Sequence, residues 1–132
     1  MDYGKVVVAE GLTALEFRAP SGTAAAVYDQ PIGLHLLFAD SESGAEHYAV
    51  RYPAGVRCRV HAHTAAHTIV VIDGRLEVNG RVIGAGSYAH FPANEPMRHQ
   101  TSGDAPCHFI LIFDGPFDVT ILEEGAWRSS SI

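Results

Sequence analysis

The sequence predicts an all-β sandwich or barrel, and three observations carry that expectation. Short apolar runs recur along the chain, punctuated by Gly, Pro, Asn and Asp, which is the spacing of strands joined by tight turns. No stretch of ten or more residues carries a convincing helical stripe, as an amphipathic helix would. Asn79-Gly80 sits between Leu-Glu-Val and Arg-Val-Ile, and this pair suits the two positive φ angles of a tight hairpin turn.

Taken in order, apolar or alternating runs place strands at 6–8, 12–18, 24–28, 33–38, 46–52 and 57–61. The run 68–72 is almost wholly apolar and reads as a buried strand. The Asn-Gly hairpin joins 75–78 to 81–83. At 88–91, Tyr88 and His90 alternate with Ala89 and Phe91, so one pair faces inward and the other does not. Strands at 99–101, 108–113 and 117–122 complete the series, and 128–132 is expected to be a frayed tail. Pro53-Ala54-Gly55, Gly84-Ala85-Gly86 and Asp114-Gly115-Pro116 supply turns. Phe38, Ile69, Val71, Phe91, Phe109, Leu111 and Phe113 are the expected core or cavity wall.

A chain of 132 residues is the size of one ordinary domain and buries about two-thirds of its unfolded surface without a covalent staple. With no linker, repeat or low-complexity run, 1–132 is expected to be a single domain. Fifteen acidic against nine basic residues give a net charge of -6, which argues against a nucleic-acid or anionic-membrane partner. The N-terminal residues lack the pattern of a secretory signal, and no apolar run reaches membrane-spanning length, so the expected location is cytoplasmic. Cys58 and Cys107 are too few for a disulfide framework and read as packed thiols.

The chemistry concentrates in 55–74, GVRCRVHAHTAAHTIVVIDG, where His61, His63 and His67 lie between two glycines. Neutral imidazole is the commonest metal ligand, and its reference pKa of about 6.5 leaves most of it deprotonated at neutral pH. Residues two apart on a strand share a face, so His61 and His63 stand side by side, roughly 6.6 Å apart along the chain. His67 has the same parity. The competing reading is three solvated surface histidines, and the buried strand directly after them weighs against it. Arg57 and Arg59 share this parity and either point inward to meet a substrate carboxylate or line the mouth in solvent; the second is favoured. His108 is read either as a group near the cavity or as a core histidine. His35 and His47 carry the same ambiguity.

The spacing Gly55, five residues, His61-x-His63, three residues, His67, six residues, Gly74 resembles the first conserved motif of the cupin superfamily. Gly86, five residues, Pro92-Ala93-Asn94 and then His99 approximates the second, at 86–103. The resemblance implies a single cupin β-barrel, or double-stranded jelly roll, holding a divalent transition metal on His61, His63, His67 and His99. It also implies a homodimer.

Two departures matter. The usual glutamate is His67, and the second-motif histidine arrives two residues late, with Met97 in the usual position. A two-residue displacement preserves facing, and Asn94 tolerates the left-handed conformation that glycine would supply. His90 is the reserve ligand. Four neutral imidazoles leave a divalent ion at a net charge of about +2 rather than about +1, which favours an anionic, oxygen-chelating small molecule as substrate. Nitrogen ligation suits iron, nickel, copper or zinc; the resemblance to cupin dioxygenases with all-histidine ligation puts iron first, with manganese also open. Because the site is similar to that of cupin dioxygenases with all-histidine ligation, the resemblance implies, as the leading expectation, an Fe(II)-dependent dioxygenase acting on a small diketone or enol. A metal-dependent isomerase or lyase and a non-catalytic ligand-binding or sensory cupin with a structural metal are the alternatives.

Overall fold

In the computed structural model, residues 5–125 are described. Among them are one short helix, α1 (Gly22–Ala26), and ten strands: β1 (Gly33–Ala39), β2 (Glu46–Tyr52), β3 (His61–Ala62), β4 (His67–Asp73), β5 (Arg75–Val78), β6 (Arg81–Gly84), β7 (Tyr88–Phe91), β8 (His99–Thr101), β9 (Cys107–Phe113) and β10 (Thr120–Ile121). The fold is an all-β jelly roll. A five-stranded sheet runs β1-β2-β9-β4-β7, a three-stranded sheet β6-β5-β8, and β10 pairs with β3. Every strand pair is antiparallel.

Alternation decides what is inside. On β9, Cys107, Phe109, Leu111 and Phe113 enter one cluster with Ile69 and Val71 of β4, Val50 and Tyr52 of β2, Leu76 of β5 and Phe91 of β7. The core therefore lies between the sheets. The Asn79-Gly80 hairpin forms as expected, with φ of 49° and 85° and β5 paired to β6 from Arg75↔Gly84 to Val78↔Arg81.

Four predicted strands change character. Residues 6–8 lie outside any strand, with Val6, Val7 and Val8 exposed. At 12–18, turns and bends replace the strand, and a single bridge from Arg18 to Leu34 remains. At 24–28 the alanines extend α1, consistent with alanine's high helix propensity, before Tyr28 bridges Cys58. At 57–61 ladder structure is limited to the Cys58 bridge and the start of β3. An apolar run becomes a strand only where a partner edge is in reach, and sequence period alone does not report that. The predicted 117–122 shortens to β10, and 128–132 lies outside the described residues. Phe38 is also corrected: a register shift between Leu36 and Phe38 moves its ring out of the core, leaving it 37% exposed.

Candidate metal centre

Three short stretches deliver the histidines. β3 begins at His61, which exchanges backbone hydrogen bonds with Met97: the His61 N–H donates to the Met97 carbonyl at 3.0 Å, and Met97 returns one at 2.8 Å. His63 follows two residues later, and its carbonyl accepts the Asn94 N–H at 2.8 Å. Asn94 adopts φ 63°, the left-handed conformation that glycine usually supplies. β8 begins at His99, paired with Val78. Met97 is fully buried in the core cluster, so the displaced second-motif histidine keeps its inward facing.

His61, His63 and His99 are each 7% exposed or less, and each offers a ligand nitrogen within 4.8 Å of the others. Their outer nitrogens are anchored. His61 Nδ1 donates to the Arg59 carbonyl at 2.7 Å, and His63 Nδ1 donates to the Asp118 carbonyl. A carbonyl oxygen only accepts, so both rings carry their proton on Nδ1 and present the Nε2 lone pair. His99 Nδ1 lies 2.6 Å from the Tyr52 hydroxyl, and its Nε2 has no hydrogen-bond partner.

His67 stands beside this group, outside the set of three whose ligand nitrogens lie within 4.8 Å of one another. Its ring centroid is 4.8 Å from that of His63 and 6.0 Å from that of His99, and it stacks on Phe91 at 4.6 Å with planes 13° apart. Neither of its nitrogens has a hydrogen-bond partner among the described residues, although the residue is 1% exposed.

Burial keeps these rings neutral. Desolvation pushes His61 down to about 4 and His67 down to about 3, with neighbouring imidazoles adding to both. It also lowers His63, against the pull of the Asp118 carbonyl, and holds His99 well below the ordinary histidine value. A neutral imidazole is the ligating form. Buried polar atoms ordinarily have partners, so the unpartnered nitrogens of His67 and His99 beside two aimed Nε2 lone pairs fit a transition metal.

The three-histidine group opens on a cavity of about 40 Å³ whose wall includes Val27, Tyr28, Val50, Tyr52, Leu111 and Phe113. Among the described residues, no arginine or lysine lines it. Arg57 and Arg59 are exposed, and Arg57 lies 3.7 Å from Glu77, in keeping with the solvent-facing reading. His108 does not line the cavity: strand alternation turns it to the outer face, 3.5 Å from Asp73 and against Phe17. His90 is likewise outside, bonded to Thr68 at 2.9 Å, so the inward pair on β7 is Ala89 and Phe91. His35 bonds the Glu16 carbonyl and His47 packs on Phe38. Cys58 is buried, its thiol raised to about 12 by desolvation.

Sequence reasoning missed Tyr28, Tyr52 and Asp118. Asp118 acts on His63 through a backbone carbonyl, which every residue type possesses, so no residue-type signal could have marked it. Its side chain does have a distinctive role: the carboxylate accepts from the backbone N–H and hydroxyl of Thr64, fixing the chain directly after His63.

Residues 25–118 match the ChrR cupin-like domain family, which covers most of the chain. The chain belongs to that family. Solved structures agree on the fold of this cupin. A cupin-like protein from Thermotoga maritima superposes with a TM-score of 0.71 at 18% identity, over 89% of this chain and 96% of its own. An acetylacetone dioxygenase from Acinetobacter johnsonii gives 0.68 at 20% identity, over 98% and 99%. The DMSP lyase DddQ from Ruegeria pomeroyi gives 0.59 at 20%, over 68% of this cupin and 51% of the lyase. A search of curated proteins finds no match. Among the described residues, no helix is long and apolar enough to cross a membrane.

Proposed function

We propose that this cupin is an Fe(II)-dependent dioxygenase of a small diketone or enol. The observation that carries the reading is the convergence of His61, His63 and His99 on one edge of a small apolar cavity. The likeness to an acetylacetone dioxygenase along nearly the whole of both chains supports it. His61, His63 and His99 would hold the ion, with His67 as a fourth ligand whose buried, unpartnered nitrogens ask for such a role. When bound, the iron would supply Lewis acidity toward a chelating enolate and the redox capacity that O2 chemistry requires.

The chain's own residues supply the rest. The Arg59 and Asp118 carbonyls fix which ring nitrogen faces the ion, as outer hydrogen bonds to ligating histidines commonly do. Val50, Leu111 and Phe113 exclude water and favour a small, weakly polar molecule. A cavity wall without arginine or lysine suits a compound that is neutral in solution and becomes anionic at the metal better than a permanent carboxylate. The exposed valines at 6–8 extend the proposal to a homodimer that covers them.

The test is O2 uptake by protein loaded anaerobically with Fe(II) and supplied with acetylacetone, alongside Zn(II)-loaded protein and His63→Ala. Uptake that depends on both iron and His63 is expected. Stoichiometric iron without uptake on a panel of small diketones overturns the dioxygenase reading. Anaerobic turnover by the zinc form points instead to a lyase or isomerase, and metal-dependent stability without turnover to a non-catalytic cupin.

A further inference from the structure

His99 is tied into a chain of hydroxyls. Its Nδ1 lies 2.6 Å from the Tyr52 oxygen, and the Tyr52 oxygen lies 2.7 Å from that of Tyr28. Tyr52 is fully buried and packs edge-on against the Tyr28 ring at 5.3 Å and the Phe109 ring at 4.9 Å. Both tyrosines line the cavity beside the three histidines. Tyr28 also borders a surface groove with Asp29, Gln30 and Pro31, so it stands where the cavity wall meets the outside.

Each link in such a chain has two senses, and ligation selects one. This step rests on the metal-site reading. If His99 ligates through Nε2, its only ring proton is on Nδ1 and must be donated to the Tyr52 oxygen. Tyr52 then turns its single O–H toward the Tyr28 oxygen, and Tyr28 must aim its own O–H away from Tyr52. In the opposite sense, Tyr52 donates to His99, whose proton then sits on Nε2 and blocks ligation. We propose that Tyr28 is a substrate-binding residue that donates a hydrogen bond to a carbonyl or enolate oxygen in the cavity, with Tyr52 as the positioning residue that sets its sense from His99.

Burial suits both hydroxyls to this role, because desolvation raises both phenols well above their ordinary value and keeps them protonated. The chain also divides the labour. Tyr52 acts on His99 at Nδ1, the ring nitrogen opposite the one that would ligate, so its loss should be felt in metal affinity. Tyr28 acts at the far end, so its loss should be felt in the small molecule alone.

The test needs no turnover. In long-range proton–nitrogen NMR spectra of the zinc-loaded, unsubstituted protein, His99 is expected to carry its proton on Nδ1. Tyr52→Phe is expected to weaken Zn(II) binding roughly 10- to 100-fold, the usual cost of losing an outer partner of a ligating histidine. Tyr28→Phe should leave Zn(II) affinity within about twofold yet weaken acetylacetone binding to the zinc form roughly three- to tenfold, the scale of one hydrogen bond. A zinc-loaded protein with the His99 proton on Nε2 overturns the proposal, as does equal acetylacetone affinity in Tyr28→Phe and wild type. The tautomer is read on the unsubstituted chain, so a misfolded Tyr52→Phe leaves the decision intact. Absence of any zinc site defeats the metal reading itself. Zinc and acetylacetone binding with the expected Tyr28 dependence, but no O2 uptake by the iron form, defeats only the dioxygenase reading.

Discussion

Desolvation is the dominant force on each imidazole of the candidate site, and it ties the site to stability. His61 and His67 titrate at about 4 and about 3 when folded, against about 6.5 when unfolded. Between those limits the unfolded chain binds more protons, so stability is full above about pH 6.5 and falls as the pH drops toward 4. Each such ring costs up to about 1.4 kcal/mol per pH unit inside the window. Asp40 and Asp118, held low by hydrogen bonds from Ser43 and Thr64, lose their contribution only at lower pH. The urea midpoint of metal-free protein should therefore decline between pH 6.5 and 5; a flat profile there would contradict the buried, neutral state of these rings. Within the site the ligands should also separate by role. His63→Ala is expected to abolish stoichiometric metal. His67→Ala should weaken binding at least about tenfold but still fill at saturating metal, as read by elemental analysis after dialysis against graded metal.

At the scale of elements, the motif glycines do different work although both take a left-handed backbone. Gly55 has φ of 74° and open space where a Cβ would go, whereas Gly74, between β4 and β5, has φ of 82° and would drive a Cβ into the Pro106 carbonyl and within 3.0 Å of the Cys107 Cα. Gly55→Ala should cost only the backbone strain, about 1–2 kcal/mol. Gly74→Ala adds overpacking of about 1–3 kcal/mol at the turn that registers β4 against β9. Its thermal midpoint should fall further than that of Gly55→Ala, and equal shifts would mean that the β4–β5 turn relaxes freely.

At the scale of the whole molecule, the inner faces of the sheets bury a continuous aromatic and aliphatic core, while Val6, Val7 and Val8 are 66%, 56% and 66% exposed. Three adjacent exposed valines favour cover by a second copy. Sedimentation equilibrium is expected to show a dimer, and Lys at all three positions to shift it to monomer; an unchanged mass for the triple variant would place any interface elsewhere.

How much was legible follows from these particulars. Strands 46–52, 75–78, 88–91 and 99–101 coincide with β2, β5, β7 and β8, because alternation and turn residues are local signals. The 6–8, 12–18 and 24–28 runs carry similar local signals yet are not strands, since a ladder needs a partner edge. Likewise, the histidine spacing marked His61, His63 and His67 and the motif resemblance added His99, which parity kept inward despite its two-residue displacement; the structure groups His61, His63 and His99 and leaves His67 beside them.

The sequence by itself determined the all-β class and the turns, which rest on period and residue type, and offered His61, His63, His67 and, through the cupin resemblance, His99 as candidate ligands. Only the tertiary structure decided that His61, His63 and His99 close on one point while His67 stacks on Phe91. It alone turned His90 and His108 to the outer face of the sheet and joined Tyr28 to Tyr52 across 24 residues and Tyr52 to His99 across 47. The physical reason is that convergence of side chains depends on strand pairing and on backbone carbonyls such as those of Arg59 and Asp118. Neither leaves a mark in residue type.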